Sequence, residues 1–206
     1  MPPVTLLQRM TLSILVLYLL AFFVGSALAA RAAGRPVWLF GSARGADRLA
    51  AMGFRASFAL ALFGPVLSAL LPTLDPLWRN SPDWLAVPGH LVAVAGAMLA
   101  FAAQMAMGAS WRVGVRSDAV GDLVTGGLYT LSRNPTFLGQ ALLLFGVVIA
   151  LPSFAGLAAA VLFVVSAETQ IRSEEAVLRK THGAAFANFT GRVPRWIGWP
   201  RGAGRP

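Results

Sequence analysis

The chain offers few groups able to do polar chemistry, and most of them fall in two short strings. The first is Gly127-Leu128-Tyr129-Thr130-Leu131-Ser132-Arg133-Asn134-Pro135, and the second is Glu168-Thr169-Gln170-Ile171-Arg172-Ser173-Glu174-Glu175. Cysteine is absent and the only histidines are His90 and His182. Thiolate metal sites, iron–sulfur clusters, disulfides and histidine-rich di-iron or haem-pair sites therefore lack their ligands, and no metal is expected. Each histidine stands alone and reads as structural. What remains for chemistry is arginine, carboxylate, tyrosine, backbone groups or an organic cofactor.

At 100° per residue, Glu168, Arg172, Glu175 and Arg179 lie in one arc as a ladder of alternating charge. Glu174 leaves this arc and falls between Ile171 and Leu178, on the apolar stripe that packs inward. A carboxylate there needs a partner, because an unpaired buried charge is costly. A solvated helix end accounts for Glu168 and Arg179. Arg172, Glu174 and Glu175 together point to a site at the membrane face for a zwitterionic cofactor, with carboxylates for an ammonium or ribose hydroxyls and a guanidinium for a carboxylate. In the first string Asn134 suits an N-cap and Pro135 a first helical position, so a helix is expected to start there. Taken alone, that is ordinary punctuation. The glycines at 126, 127, 139 and 146 likewise serve as turn formers or close-approach residues.

The elements that must position these residues are written in the hydropathy. The 206 residues are 57% hydrophobic and 12% charged, with a mean hydropathy of +0.68, far from the averages of soluble domains. Apolar stretches run from Thr11 to Ala30, Phe54 to Leu71, Trp84 to Gly108, and Phe137 to Ala167. A crossing takes about 20 helical residues. The last stretch is too long for one crossing, and Leu151-Pro152-Ser153 divides it into a hairpin. The expected fold is an all-α polytopic membrane helix bundle of about five transmembrane helices, one domain over residues 1–206. Beyond the hairpin, the last helix is expected to leave the bilayer still helical, carrying the second string with it.

A net charge of +9 could suggest nucleic acid, but such grooves come on soluble scaffolds with interleaved aromatics. Here the charge marks orientation, and no nucleic-acid partner is expected. Arg9 and Arg79 fall on one side of the five-span arrangement, and the other 15 of the 17 basic residues fall in the 31–55 loop, the 109–136 loop and the tail. The positive-inside rule then puts the N-terminus outside and the C-terminus in the cytoplasm. Residues 1–30 imitate a secretory signal, with Ala27-Leu28-Ala29 as a cleavage-like site. Cleavage would export a loop with five arginines, so the segment reads as the first membrane helix. The 109–136 loop is long for a mere connection and carries Trp111-Arg112, Asp118, Asp122, Tyr129 and Arg133.

Read as one string, Gly127 to Gln140, an apolar hairpin, Arg172-Ser173-Glu174-Glu175, Gly183-Ala184-Ala185-Phe186 and Arg192-Val193-Pro194-Arg195-Trp196 resembles the isoprenylcysteine carboxyl methyltransferases and their relatives the phospholipid methyltransferases. The resemblance runs from about residue 108 to 197. It implies methyl transfer from S-adenosylmethionine to a lipophilic acceptor delivered from the lipid bilayer, in a bacterial inner membrane with the site facing the cytoplasm. It further implies that Gly127, Leu128, Tyr129, Arg133, Asn134, Pro135 and Glu174 line the cofactor, with Arg172 and Glu175 as catalytic residues that pair to it or to each other. Two positions depart from the pattern: Asn134 stands where the family usually has His, and Phe137 where it often has Tyr. Asn still donates and accepts hydrogen bonds, but a step needing a titrating imidazole would be lost. The enzymatic rival is a membrane NADPH-dependent reductase of the sterol or steroid type. A small scaffold or channel is the non-enzymatic rival, disfavoured because the polar residues gather at one face instead of lining a path across the bilayer.

Overall fold

A computed structural model describes residues 4–34, 36–39, 41, 43–114 and 121–198. The helices are α1 (Leu6–Ala33), α2 (Gly45–Leu70), α3 (Pro76–Arg79), α4 (Ala86–Met107), α5 (Pro135–Ala150) and α6 (Phe154–Arg192), joined by short 3-10 turns. Among the described residues there is no strand, only an isolated bridge between Trp38 and Val113. The protein is a polytopic membrane helix bundle.

Four helices are long and apolar enough to cross a membrane: α1, α2, α4 with the turn before it (Asp83–Met107), and α6. The expected fifth, α5, has only 16 residues, about 24 Å at 1.5 Å per residue, short of the roughly 30 Å hydrocarbon core. The hairpin itself forms where Leu151-Pro152-Ser153 predicts it. Ser153 caps α6 by accepting from the Gly156 N–H. The 31–55 loop is shorter than expected, because α2 already begins at Gly45 and carries Arg48 and Arg55 on its first turns.

Two antiparallel pairs build the bundle. In the α4–α5 pair Gly89 meets Ala150, Gly146 meets Ala93, Gly96 meets Leu143, and Gly139 meets Ala100. A Cβ added at any of these glycines would lie 2.3–2.4 Å from a backbone nitrogen across the seam. Small residues at helical spacing thus bring the two backbones together, which lipid-solvated helices need because burying apolar surface gives them no drive. In the α2–α6 pair Gly64 packs on Ala155, and Phe54 and Phe58 meet the fully buried Phe163. The Ser173 hydroxyl donates to Asp47 at 2.5 Å. α1 lies parallel along α4, held by Gln104 donating to the Phe22 carbonyl and to Ser26, and by Thr11 against His90.

This alternation puts residues 34, 36–39, 41, 43–44, 108–114, 121–134 and 168–198 at one end of the bundle and 71–85 with 151–153 at the other. At that second end Asp75 gathers three elements. It accepts from the Ser68 hydroxyl of α2, the Leu77 and Trp78 N–H groups of α3, and the Phe154 N–H of α6. At the first end, α6 is apolar only as far as Ala167 and runs on as a polar extension. Gly183 breaks it with φ +48°, a left-handed conformation suited to glycine. The chain turns there, so that Phe186, Phe189 and Val193 pack with Tyr129.

Candidate functional site

The first string folds as a tight turn. Gly127 takes φ +57° and opens a single 3-10 turn that delivers Tyr129 inward, 5% exposed, with its hydroxyl donating to the Ala103 carbonyl at 3.3 Å. Burial pushes the Tyr129 phenol up to about 12, so it remains a neutral donor. α5 then starts at Pro135 as expected. Asn134 stands at the N-cap without capping through its side chain. Its amide instead donates to the Arg195 carbonyl at 3.0 Å.

The tail is docked onto this turn. The Arg133 backbone N–H donates to the Pro194 carbonyl, its guanidinium donates to the Val193 carbonyl at 2.7 Å, and the Ser132 hydroxyl donates to the Arg195 carbonyl. Glu175 is the clasp between the two. One oxygen accepts from Arg133 at 2.6 Å and from Arg195 at 3.1 Å, and the other accepts from Arg195 at 2.6 Å. Burial pushes the Glu175 carboxyl up, but the hydrogen bonds and charges of Arg195 and Arg133 outweigh it and hold it below the usual carboxylate range. Arg195 also bonds Glu168, which takes the Trp196 indole N–H as well.

Beneath the clasp lies a cavity of about 930 Å³ counted to its open mouth, within the size range of ligand sites. Its polar wall includes Arg112, Arg133, Asn134, Gln140, Gln170 and Glu174, and its aromatic wall Tyr129, Phe186 and Phe189. Four lining residues hold a buried polar atom with no hydrogen-bond partner: Arg133 Nε, Thr136 Oγ1, Gln140 Oε1 and Gln170 Oε1. Buried polar atoms are ordinarily satisfied, so four orphans around one cavity describe a surface made for a polar ligand. Glu174 faces the same space with only a 3.4 Å contact from Gln170. Burial pushes its carboxyl up, against the positive charge of Arg112.

The residues expected at the site divide accordingly. Tyr129, Arg133, Asn134, Glu174 and Glu175 line the cavity; Gly127, Leu128 and Pro135 do not, and serve the turn and the helix start. The expected pairing of Arg172 with Glu175 does not form. Arg172 is 71% exposed and reaches back to Glu168 at 3.0 Å, because the partners that claim Glu175 come from α5's approach and the tail, which a wheel drawn on α6 alone does not contain. Gln140, Thr136, Gln170 and the Phe186–Phe189 pair were not anticipated. A glutamine inside the apolar run of α5 was the available signal, since polar side chains at membrane depth mark function. Among the described residues no cluster suited to a metal occurs; Asp118 lies outside the described residues.

A second cavity, of about 980 Å³ counted to its open mouth, lies between α1 and α2 and is lined chiefly by apolar residues, among them Leu19, Phe23, Trp38, Phe58 and Leu62, with Arg55 as its charged member. Phe22, Phe54 and Gln140 belong to both cavities. The polar site and the apolar groove therefore share a wall. No curated protein matches the chain. The family model for phospholipid methyltransferases matches residues 84–185, from the turn before α4 to just past the Gly183 break.

Proposed function

Because residues 84–185 belong to the phospholipid methyltransferase family, which makes the chain a membrane methyltransferase in kind, we propose that its donor is S-adenosylmethionine and its acceptor a lipophilic molecule taken from the bilayer. The observation that carries this reading is the shared wall: a cavity with four orphaned polar atoms abuts an apolar groove at Phe22, Phe54 and Gln140. A polar cofactor and an apolar acceptor need such a pair of adjoining spaces.

The donor, when bound, supplies an activated methyl group on a sulfonium. The residues present fit it: Glu174 would hold the ammonium, Arg133 Nε and the Thr136 and Gln170 oxygens would take its polar groups, and Tyr129, Phe186 and Phe189 would cover its apolar faces. The chain's own task is placement and exclusion of water, since alignment alone can remove several kcal/mol from the barrier. Where the acceptor's reacting atom carries a hydrogen, the cavity carboxylates without an ion-pair partner at bonding distance, Glu174 and Asp122, are the ones able to take the proton. The site faces the cytoplasm in this reading, on the side with most of the arginines.

Calorimetry on protein in nanodiscs tests the donor, with S-adenosylmethionine and NADPH compared; saturable binding of NADPH alone would favour a reductase instead. For the acceptor, S-adenosylhomocysteine release should rise when isoprenoid or phospholipid acceptors are added. Turnover on small water-soluble thiols or amines, unchanged by those lipids, would refute access from the bilayer.

A further inference from the structure

Arg112 sits in the wall of the polar cavity, 9% exposed. Its backbone is pinned on both sides. The Trp111 N–H donates to the Gly108 carbonyl at 3.1 Å and the Trp111 indole N–H to the Ser26 hydroxyl of α1 at 3.0 Å. On the other side the Val113 N–H donates to the Val37 carbonyl at 2.7 Å, and the Val113 carbonyl accepts from the Leu39 N–H at 2.8 Å. The other cavity arginine, Arg133, is claimed by Glu175. Arg112 makes no ion pair among the described residues. Its charge still acts on Glu174 and Tyr129, which line the same cavity. A desolvated guanidinium without a counter-ion is costly. A carboxylate offsets that cost, because the planar fork meets it with two parallel hydrogen bonds.

Resting on the donor assignment above, we propose that Arg112 is a specificity-determining residue that holds the carboxylate of the donor's amino-acid end while Glu174 holds its ammonium, so that the site selects a donor carrying both charges. An α-amino acid bears its ammonium and carboxylate on one carbon, and a site for it needs an anion and a cation facing one space. Glu174 and Arg112 are such a pair. Both line the cavity, neither has an ion-pair partner among the described residues, and the charge of one acts on the other. Held at two points instead of one, the amino-acid end cannot pivot freely about Glu174, which leaves fewer orientations to the sulfur and its methyl group. Asp122, the remaining cavity carboxylate, is exposed and stays solvated. An acceptor with an anionic head group is the other source of a carboxylate. Arg112 lines the cavity and does not line the apolar groove, which favours the donor.

The test is calorimetric binding to protein in nanodiscs with two ligands, S-adenosylmethionine and its decarboxylated form, which keeps the adenosine, sulfonium and ammonium and lacks only the carboxylate. The unaltered protein should bind the complete donor about tenfold tighter or more, the ratio expected for one charge-assisted contact. Arg112→Gln should weaken the complete donor by that factor and leave the decarboxylated form within about threefold, bringing the ratio to near one. Arg112→Lys keeps the charge and loses the fork, so its ratio should be intermediate; it carries the test if melting without ligand shows that Arg112→Gln does not fold. Equal affinities for the two ligands in the unaltered protein, or a ratio unmoved by Arg112→Gln, would overturn the proposal. So would an unmoved ratio accompanied by weaker binding of a carboxylate-ended amphiphile, which would assign Arg112 to the acceptor. Binding of neither ligand to the unaltered protein would sink the donor assignment on which the proposal rests, a result distinct from equal binding of both.

Discussion

Glu174 and Glu175 are neighbours in sequence and opposites in circumstance. Both oxygens of Glu175 are taken by guanidinium groups, whereas Glu174 faces the cavity with one long contact. Their substitutions should therefore separate binding from folding. Glu174→Gln should weaken S-adenosylmethionine binding at least tenfold, measured by calorimetry, with little change in thermal stability. Glu175→Gln should leave Arg133 and Arg195 without their counter-charge. That loss is about 2–3 kcal/mol, below the roughly 3–5 of a fully buried pair, because the Arg195 side chain is 33% exposed. It should appear as a lower melting temperature and faster proteolysis of the tail. Equal loss of affinity with unchanged melting for both variants would contradict the division of roles.

The elements show which parts of the structure a sequence can announce. Pro135 as a helix start, Leu151-Pro152-Ser153 as a hairpin and the apolar stretches as helices were all legible, because each is decided by local backbone chemistry. The inward position of Glu174 was also legible, from its phase between Ile171 and Leu178. The clasp was not, since Arg195 meets Glu175 only after the chain turns at Gly183, and nothing local to either residue records that turn. The α4–α5 seam gives a second prediction. Gly96→Ala and Gly139→Ala would each force backbones apart and should cost a few kcal/mol, as overpacking does. Gly191→Ala, with open space around it, should be neutral or stabilising by up to about 1 kcal/mol. Melting curves that rank the three together would discount the seam. At the other end of the bundle, burial pushes the Asp75 carboxyl up but its four donors outweigh this and hold it below its ordinary value. A lowered folded pKa contributes stability in full above the unfolded value of about 4 and loses it as pH falls through the folded one. Melting temperature should thus drop on acidification below about pH 4. Asp75→Asn should lower it at neutral pH and flatten that acid dependence.

For the whole molecule, the antiparallel order of the helices makes a directional prediction. Cysteines placed at Arg44 and Asn80, in a chain with none of its own, should be labelled from opposite sides of the membrane, position 44 from the cytoplasm. Labelling of both from one side would break the alternation on which the site's location depends. The shortness of α5 has a further consequence. Ten of its 16 residues are buried, so its ends meet protein and its deficit of about 6 Å against the hydrocarbon core need not thin the lipid around it. In the membrane reading proposed above, the deficit would instead set the cavity floor at Thr136 and Gln140 about 6 Å inside the edge of the hydrocarbon core. Extracting a lipid into water costs about 0.8 kcal/mol for each methylene exposed, a toll that grows with every carbon of the chain. A recessed floor lets the acceptor's apolar chain stay in the bilayer while its polar end reaches the site, so turnover on the acceptors proposed here should be nearly indifferent to chain length.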